Sequence, residues 1–232
     1  MASPINNVAQ ATAIDSISSL ASTDFSLGNC QVLQYNPPLP GTAQLFPDNY
    51  LSALYSRMKA SLTLERTMCG MLNLSHDAIV SYLASKPLFA AIEWDQYHTR
   101  FQTLGFGFIV AWIGPPPSTP GERSAMGGYS MFPESWGSPE AEVLAMLGIA
   151  RMFHTYSLQS LYGQRYIRNA LTARFMQRFG FKDLATLPDF MPHRNGNSNG
   201  PSLAPCVVSR LSRLDLNDYV ARQMASIDPE FE

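Results

Sequence analysis

The chain has 232 residues, 46% hydrophobic and 11% aromatic, enough for one large domain with a real core or a domain plus an arm. Only 15% of residues are charged and the formal net charge is −2, so no overall basic excess recruits nucleic acid or an anionic membrane. Cys30, Cys69 and Cys206 show no framework spacing, and His76, His98, His154 and His193 are isolated, which argues for reduced thiols and against a local metal motif.

Residues 1–45 are rich in Ala, Ser, Asn, Gln, Thr and Pro and end in Asn36-Pro37-Pro38-Leu39-Pro40-Gly41. They read as an extended N-terminal arm with a short apolar pattern at Ile14, Ile17 and Leu20, ordered by lying on a protein partner in an oligomeric assembly. The N-terminus lacks a basic region followed by an apolar one, so no signal peptide is expected, and no apolar run approaches the ~20 residues of a membrane span. The expected locations are cytoplasm or virion.

Residues 46–232 read as one domain. From Asp48, Leu51, Leu54, Tyr55, Met58 and Leu62 recur at helical steps. A second helix starts at Ser75, a plausible N-cap, and stops at Pro87. Leu88 to Trp94 and Phe106 to Ile113 are short apolar strand signals, and Gly114 to Gly121 (GPPPSTPG) is an exposed connection. Gly127 to Phe132 resumes as strand.

A helix follows from Pro139 to Tyr156, with Glu140 and Glu142 at its positive end and Val143, Leu144, Leu147, Met152 and Phe153 as its buried side. Leu161 to Ile167 is a strand. Ala170 to Phe179 is a helix capped by Asn169 and ended by Gly180. Phe181 to Leu187 and Val207 to Leu214 are strands around a 195–201 loop, and Asp215 caps a final helix. Alternating strands and helices imply a mixed α/β sheet.

Residues 169–181 read NALTARFMQRFGF. With Phe132, Pro133, Trp136 and Gly137 upstream, this stretch resembles the GCN5-related N-acetyltransferases (GNAT), nearest the ribosomal-protein N-acetyltransferases. Asn169, Thr172, Arg174, Gly180 and Phe181 fall at the positions of that family's helix motif, and the likeness covers roughly residues 88–220. It implies an α/β (α+β) fold: a mostly antiparallel twisted sheet with splayed central parallel strands, flanked by helices. It also implies acetyl-CoA between the splayed strands, with its pyrophosphate on helix-terminal N–H groups. The cofactor contacts would then fall to Phe132, Trp136, Gly137, Ala141 and Asn169.

Aligned through Trp136, Pro139 stands where the signature has glycine, which removes an N–H and adds a ring. Glu140 and Glu142 add charge there. A carboxylate about 5 Å from a phosphate costs on the order of 1–3 kcal/mol. Phe175 and Met176 occupy the region where many relatives place a tyrosine acid. Glu93, Asp95 and His98 are the candidate bases, with a polar strand edge or a half-buried histidine as the structural alternative.

The expectation is therefore a GNAT-fold protein that has lost acetyl-CoA catalysis, needs no cofactor and serves as a structural or adaptor piece. By analogy of fold, that piece belongs to a tailed-bacteriophage virion, at the head–tail junction or in the tail. The alternative is an acetyl-CoA-dependent N-acetyltransferase acting on a protein or small-molecule amine. A peptide-binding module is a third option.

Overall fold

In the computed structural model, residues 16–28, 30–36, 50–61, 75–85, 88–94, 101–102, 108–113, 123–130, 133, 136–193 and 202–227 are described. Ile14 and the 114–121 and 195–201 connections lie outside them. The strands are β1 (Ser26–Leu27), β2 (Cys30–Asn36), β3 (Leu88–Trp94), β4 (Phe101–Gln102), β5 (Phe108–Ile113), β6 (Ser124–Ser130), β7 (Ser160–Tyr166), β8 (Lys182–His193) and β9 (Ser202–Ser212). The helices are α1 (16–22), α2 (Tyr50–Ala60), α3 (His76–Ala84), α4 (Pro139–Thr155), α5 (Ala170–Arg178) and α6 (Arg213–Ile227).

One mixed sheet runs β1-β2-β3-β5-β6-β7-β9-β8, with β4 against β3. Every described pairing is antiparallel except β6 with β7. This is the expected fold class, a mostly antiparallel sheet with a central parallel pair.

Helix α4 makes the parallel crossover between β6 and β7. Its start follows from local chemistry: the Ser138 side chain accepts from the Ala141 N–H at 3.1 Å, and Pro139 fits the first helical position. From Leu144 to Phe153 every residue is buried, so the helix is enclosed on all sides rather than on one stripe. Its end is held by Arg213, which donates from Nη1 to the carbonyls of Phe153 and Leu158, both at 3.2 Å. A cation there meets the negative helix end.

The core around α4 draws on Ile17 and Leu20 of α1 and Phe25, Val32 of β2, Ala125 of β6, Leu161 of β7 and Leu211 of β9. Met176 and Phe179 of α5 and Leu216, Tyr219 and Val220 of α6 complete it. Leu33 neighbours Val32 and so points to the other face of β2. Helices α2 and α3 form a second layer, burying Leu51, Leu54, Met58, Ile79 and Leu83.

The expected arm over 1–45 is corrected for residues 16–36. Ile17 is 0% and Leu20 1% exposed within the core, and β2 pairs with β3 from Cys30 to Asn36. Ile17, Leu20, Phe25, Val32 and Leu33 find their burial inside the chain itself. Arg151 of α4 fastens it there. It donates from Nη1 to the Val32 carbonyl and from Nη2 to Asp24 Oδ1 at 3.1 Å, and its guanidinium lies 5.3 Å from the Phe25 ring centre.

Two further boundaries differ from the sequence reading. β8 continues past Leu187 to His193 because a bulge between Leu187 and Met191 absorbs Pro188 and Asp189, the latter at φ 47°. The hydroxyl of Ser212, rather than Asp215, caps α6 by accepting the Asp215 N–H at 3.1 Å.

Candidate active site

β6 and β7 pair at only three positions, Ser124 with Ser160, Ala125 with Leu161 and Met126 with Tyr162. Beyond Met126, β6 continues to pair with β5 as far as Ser130, and beyond Tyr162, β7 continues to pair with β9 as far as Tyr166. The two strands therefore part company at Gly127 and Gly163, leaving a split between their C-terminal halves. Backbone groups that face the split have no strand opposite them, which suits an extended, amide-rich ligand laid between the strands.

Gly163 also clears space beneath the split. A Cβ there would lie 2.9 Å from Met176 Cε, so α5 sits closer to β7 than a side chain permits. The turn ending α5 explains how it gets there. Gly180, at φ 91°, donates its N–H to Gln177 O at 3.0 Å, and Phe181 donates to Met176 O at 3.0 Å, the two bonds of a Schellman cap.

The N-terminus of α4 follows directly from β6, at the same end of the sheet as the split. Gly137 there takes φ 82°, with nothing within 4 Å of a would-be Cβ. Trp136 is 41% exposed. Pro139 has no N–H, and the Ala141 N–H is taken by Ser138 Oγ. Among the described residues, the N–H groups of Gly137, Ser138 and Glu140 have no protein acceptor. Three donors at the positive end of a 17-residue helix can hold an anion.

The electrostatics here differ from the sequence expectation in one respect. Glu142 does not face the helix end. Its Oε2 accepts from Arg178 Nη1 at 3.0 Å and its Oε1 from the Tyr219 hydroxyl at 2.8 Å. The charge is neutralised against α5 and α6, 36 and 77 residues away in sequence. Burial, helped by the Glu142 carboxylate, pushes the Tyr219 phenol well up, so it stays a donor. Only Glu140 remains as a local negative charge in that first turn.

The other sequence candidates divide. Asn169 caps α5, its Oδ1 accepting the Thr172 N–H at 3.1 Å, and stands three residues after β7 ends. Ala141 is 7% exposed and packs into the core. Phe132, Asp95 and His98 lie outside the described residues, as does the side chain of Glu93. The strand of Glu93 can be placed. β3 is antiparallel to β5, which is antiparallel to β6, so β3 runs in the direction of β6 and β7. Ala90 is level with Phe108 and hence with Ser130, which sets Glu93 three residues beyond the end of β6, toward the open end of the split. Among the described residues, no group of His, Cys, Asp and Glu could hold a metal ion, and no helix is long and apolar enough to cross a membrane.

No family model matches the sequence, and no curated protein matches it. Solved structures match the fold. RimJ of Mycobacterium smegmatis, solved with CoA-disulfide, superposes at TM-score 0.57 and 16% identity, covering 75% of this chain and 84% of RimJ. A GCN5-related N-acetyltransferase from Brucella melitensis gives 0.59 and 13%, covering 89% and 86%. Spermidine N-acetyltransferase from Vibrio cholerae, solved with CoA and spermine, gives 0.58 and 10%, covering 81% and 98%.

Proposed function

We propose that this chain, which has the fold of the GCN5-related N-acetyltransferases, binds an acyl-CoA in the β6–β7 split and transfers its acyl group to an amine. The observation that carries this reading is the split itself: a parallel pair that holds for three residues and then opens beside the N-terminus of α4. Structural neighbours solved with CoA-disulfide or with CoA support it.

The residues present fit most of what a CoA pyrophosphate requires. Gly137, Ser138 and Glu140 offer backbone donors, the left-handed glycine lets the chain turn tightly, and the α4 dipole favours a negative guest. Asn169, three residues after β7, and Trp136, three residues before α4, are the further candidate contacts. A bound acyl-CoA supplies a thioester carbonyl for attack by a neutral amine. The chain's own task is to position that carbonyl, exclude water and remove the amine's proton, for which Glu93 on β3 is the candidate base. Pro139 removes one donor, and with it on the order of 1 kcal/mol of phosphate binding.

The second reading, a GNAT-fold structural or adaptor piece without cofactor, draws on Pro139 and on the Glu140 charge beside it. Under it, contact with a protein partner would not use Ile17, Leu20, Phe25, Val32 or Leu33, which are already buried. Calorimetric titration of the full chain with acetyl-CoA separates the two. Binding in the micromolar range supports the acyltransferase, and no heat at millimolar ligand removes it. Acetyl transfer to a panel of polyamines and N-terminal peptides then identifies the acceptor class.

A further inference from the structure

We propose that Ser52 is an activated nucleophile that accepts acyl groups from activated esters, forming a covalent acyl-serine on the α2–α3 pair. The Ser52 hydroxyl lies 2.9 Å from His76 Nε2, and His76 Nδ1 lies 2.9 Å from Asp77 Oδ1. Hydroxyl, imidazole and carboxylate are thus joined in series through opposite nitrogens of one ring, the arrangement that lets a serine lose its proton as it attacks. In the tautomer that donates Nδ1–H to Asp77, Nε2 is unprotonated and faces Ser52, where it can take the hydroxyl proton.

Three features hold the geometry. Ser52 is in the first turn of α2 and His76 is the first residue of α3, so rigid helices carry both groups. The Tyr55 ring, one turn further along α2, meets the His76 ring edge-on at 5.1 Å and restrains its rotation. Helix α3 is fixed at this end by Ser75, whose side chain accepts the Ala78 N–H at 3.3 Å. The N–H groups of His76 and Asp77 have no protein acceptor among the described residues, and they form the positive end of α3. That end favours the oxyanion that develops on an attacked carbonyl.

In the step, Ser52 Oγ bonds to the acyl carbon, and the hydroxyl proton passes to His76 Nε2. The bond from carbon to the leaving oxygen breaks, and His76 returns the proton to that leaving group. The products are an acyl-serine and a free alcohol or phenol. Asp77 is 97% exposed and His76 43%, so water competes for both. Acylation is therefore slow, and the acyl-serine accumulates only because its hydrolysis is slower still, which the test reads directly.

The test is p-nitrophenyl acetate with the full chain and no CoA, so its outcome is independent of whether the split binds cofactor. The expected result is a burst of one p-nitrophenol per chain and one acetyl group mapped by mass spectrometry to Ser52. Ser52→Ala abolishes both, and His76→Ala slows the burst by about 100-fold, in the range for loss of a positioned base. Asp77→Asn, which leaves Ser52 and the ring in place, slows it severalfold and serves if the His76 variant melts early. Absence of a burst, an adduct on another residue, or an unchanged burst in the Ser52 or Asp77 variant overturns the proposal.

Discussion

Replacing Arg151 with Met tests how the N-terminal segment is joined to the domain. A residue's N–H and C=O lie on the same side of a strand. The Val32 N–H goes to Phe25 O at 3.2 Å, so the Val32 carbonyl also faces away from β3, beyond the two-residue reach of β1. Arg151 is its partner. Methionine keeps most of the side-chain volume but leaves that carbonyl buried and unpaired, at about 1–3 kcal/mol, and removes a cation over Phe25 worth about 1 kcal/mol. The Asp24 ion pair adds little, since that carboxylate is 63% exposed. The expected loss for Arg151→Met is therefore about 2–4 kcal/mol, and for Asp24→Asn under about 1 kcal/mol. Urea denaturation followed by circular dichroism measures both. Equal losses in the two variants would refute the reasoning, because the ion pair and not the orphaned carbonyl would then be the stabilising contact.

Gly180→Ala should cost about 2 kcal/mol or more, because φ 91° strains any L side chain and the new Cβ would lie 3.1 Å from Asp215 Cβ; thermal melts read it, and a loss below about 0.5 kcal/mol would contradict the Schellman geometry. Burial alone would raise the Asp215 pKa, but hydrogen bonds from Lys182 and Ser212 outweigh it and hold the carboxyl below its ordinary value. Its stabilisation is thus present above about pH 4 and lost as pH falls through the lowered value; Asp215→Asn should flatten the acid limb of a stability–pH curve, and an unchanged limb would count against it. Pro139→Gly restores an N–H at the α4 terminus at about 1 kcal/mol of stability, and should tighten acetyl-CoA binding about tenfold by titration. Unchanged affinity would mean that the backbone at 139 does not touch the ligand.

Where local signals agree, the sequence predicts the structure closely. Pro139 and two early glutamates set the start of α4 at its observed residue, and Asn169 with Gly180 brackets α5 to within one position. What escaped was long-range. Nothing near residues 16–36 announces that Ile17 and Leu20 are buried against α4, or that Arg151, 119 residues on, reaches the Val32 carbonyl. Glu142 reads as a charge aimed at a phosphate until Arg178 and Tyr219 are seen to hold it. β8 looked as if it ended at Leu187 because Pro188 and Asp189 break local pattern, whereas a bulge lets pairing with β9 resume. The series Ser52, His76 and Asp77 depends on α2 packing on α3, which no spacing reveals.

The enclosure of α4 has a bearing on how this protein can diversify. With ten successive positions, Leu144 to Phe153, walled in, the helix has no freedom to slide or tilt toward a new guest, and substitutions along it disturb packing first. Adaptation to a different ligand must be written in the few residues ahead of it, around Trp136, Gly137 and Ser138, while the rod behind them stays fixed.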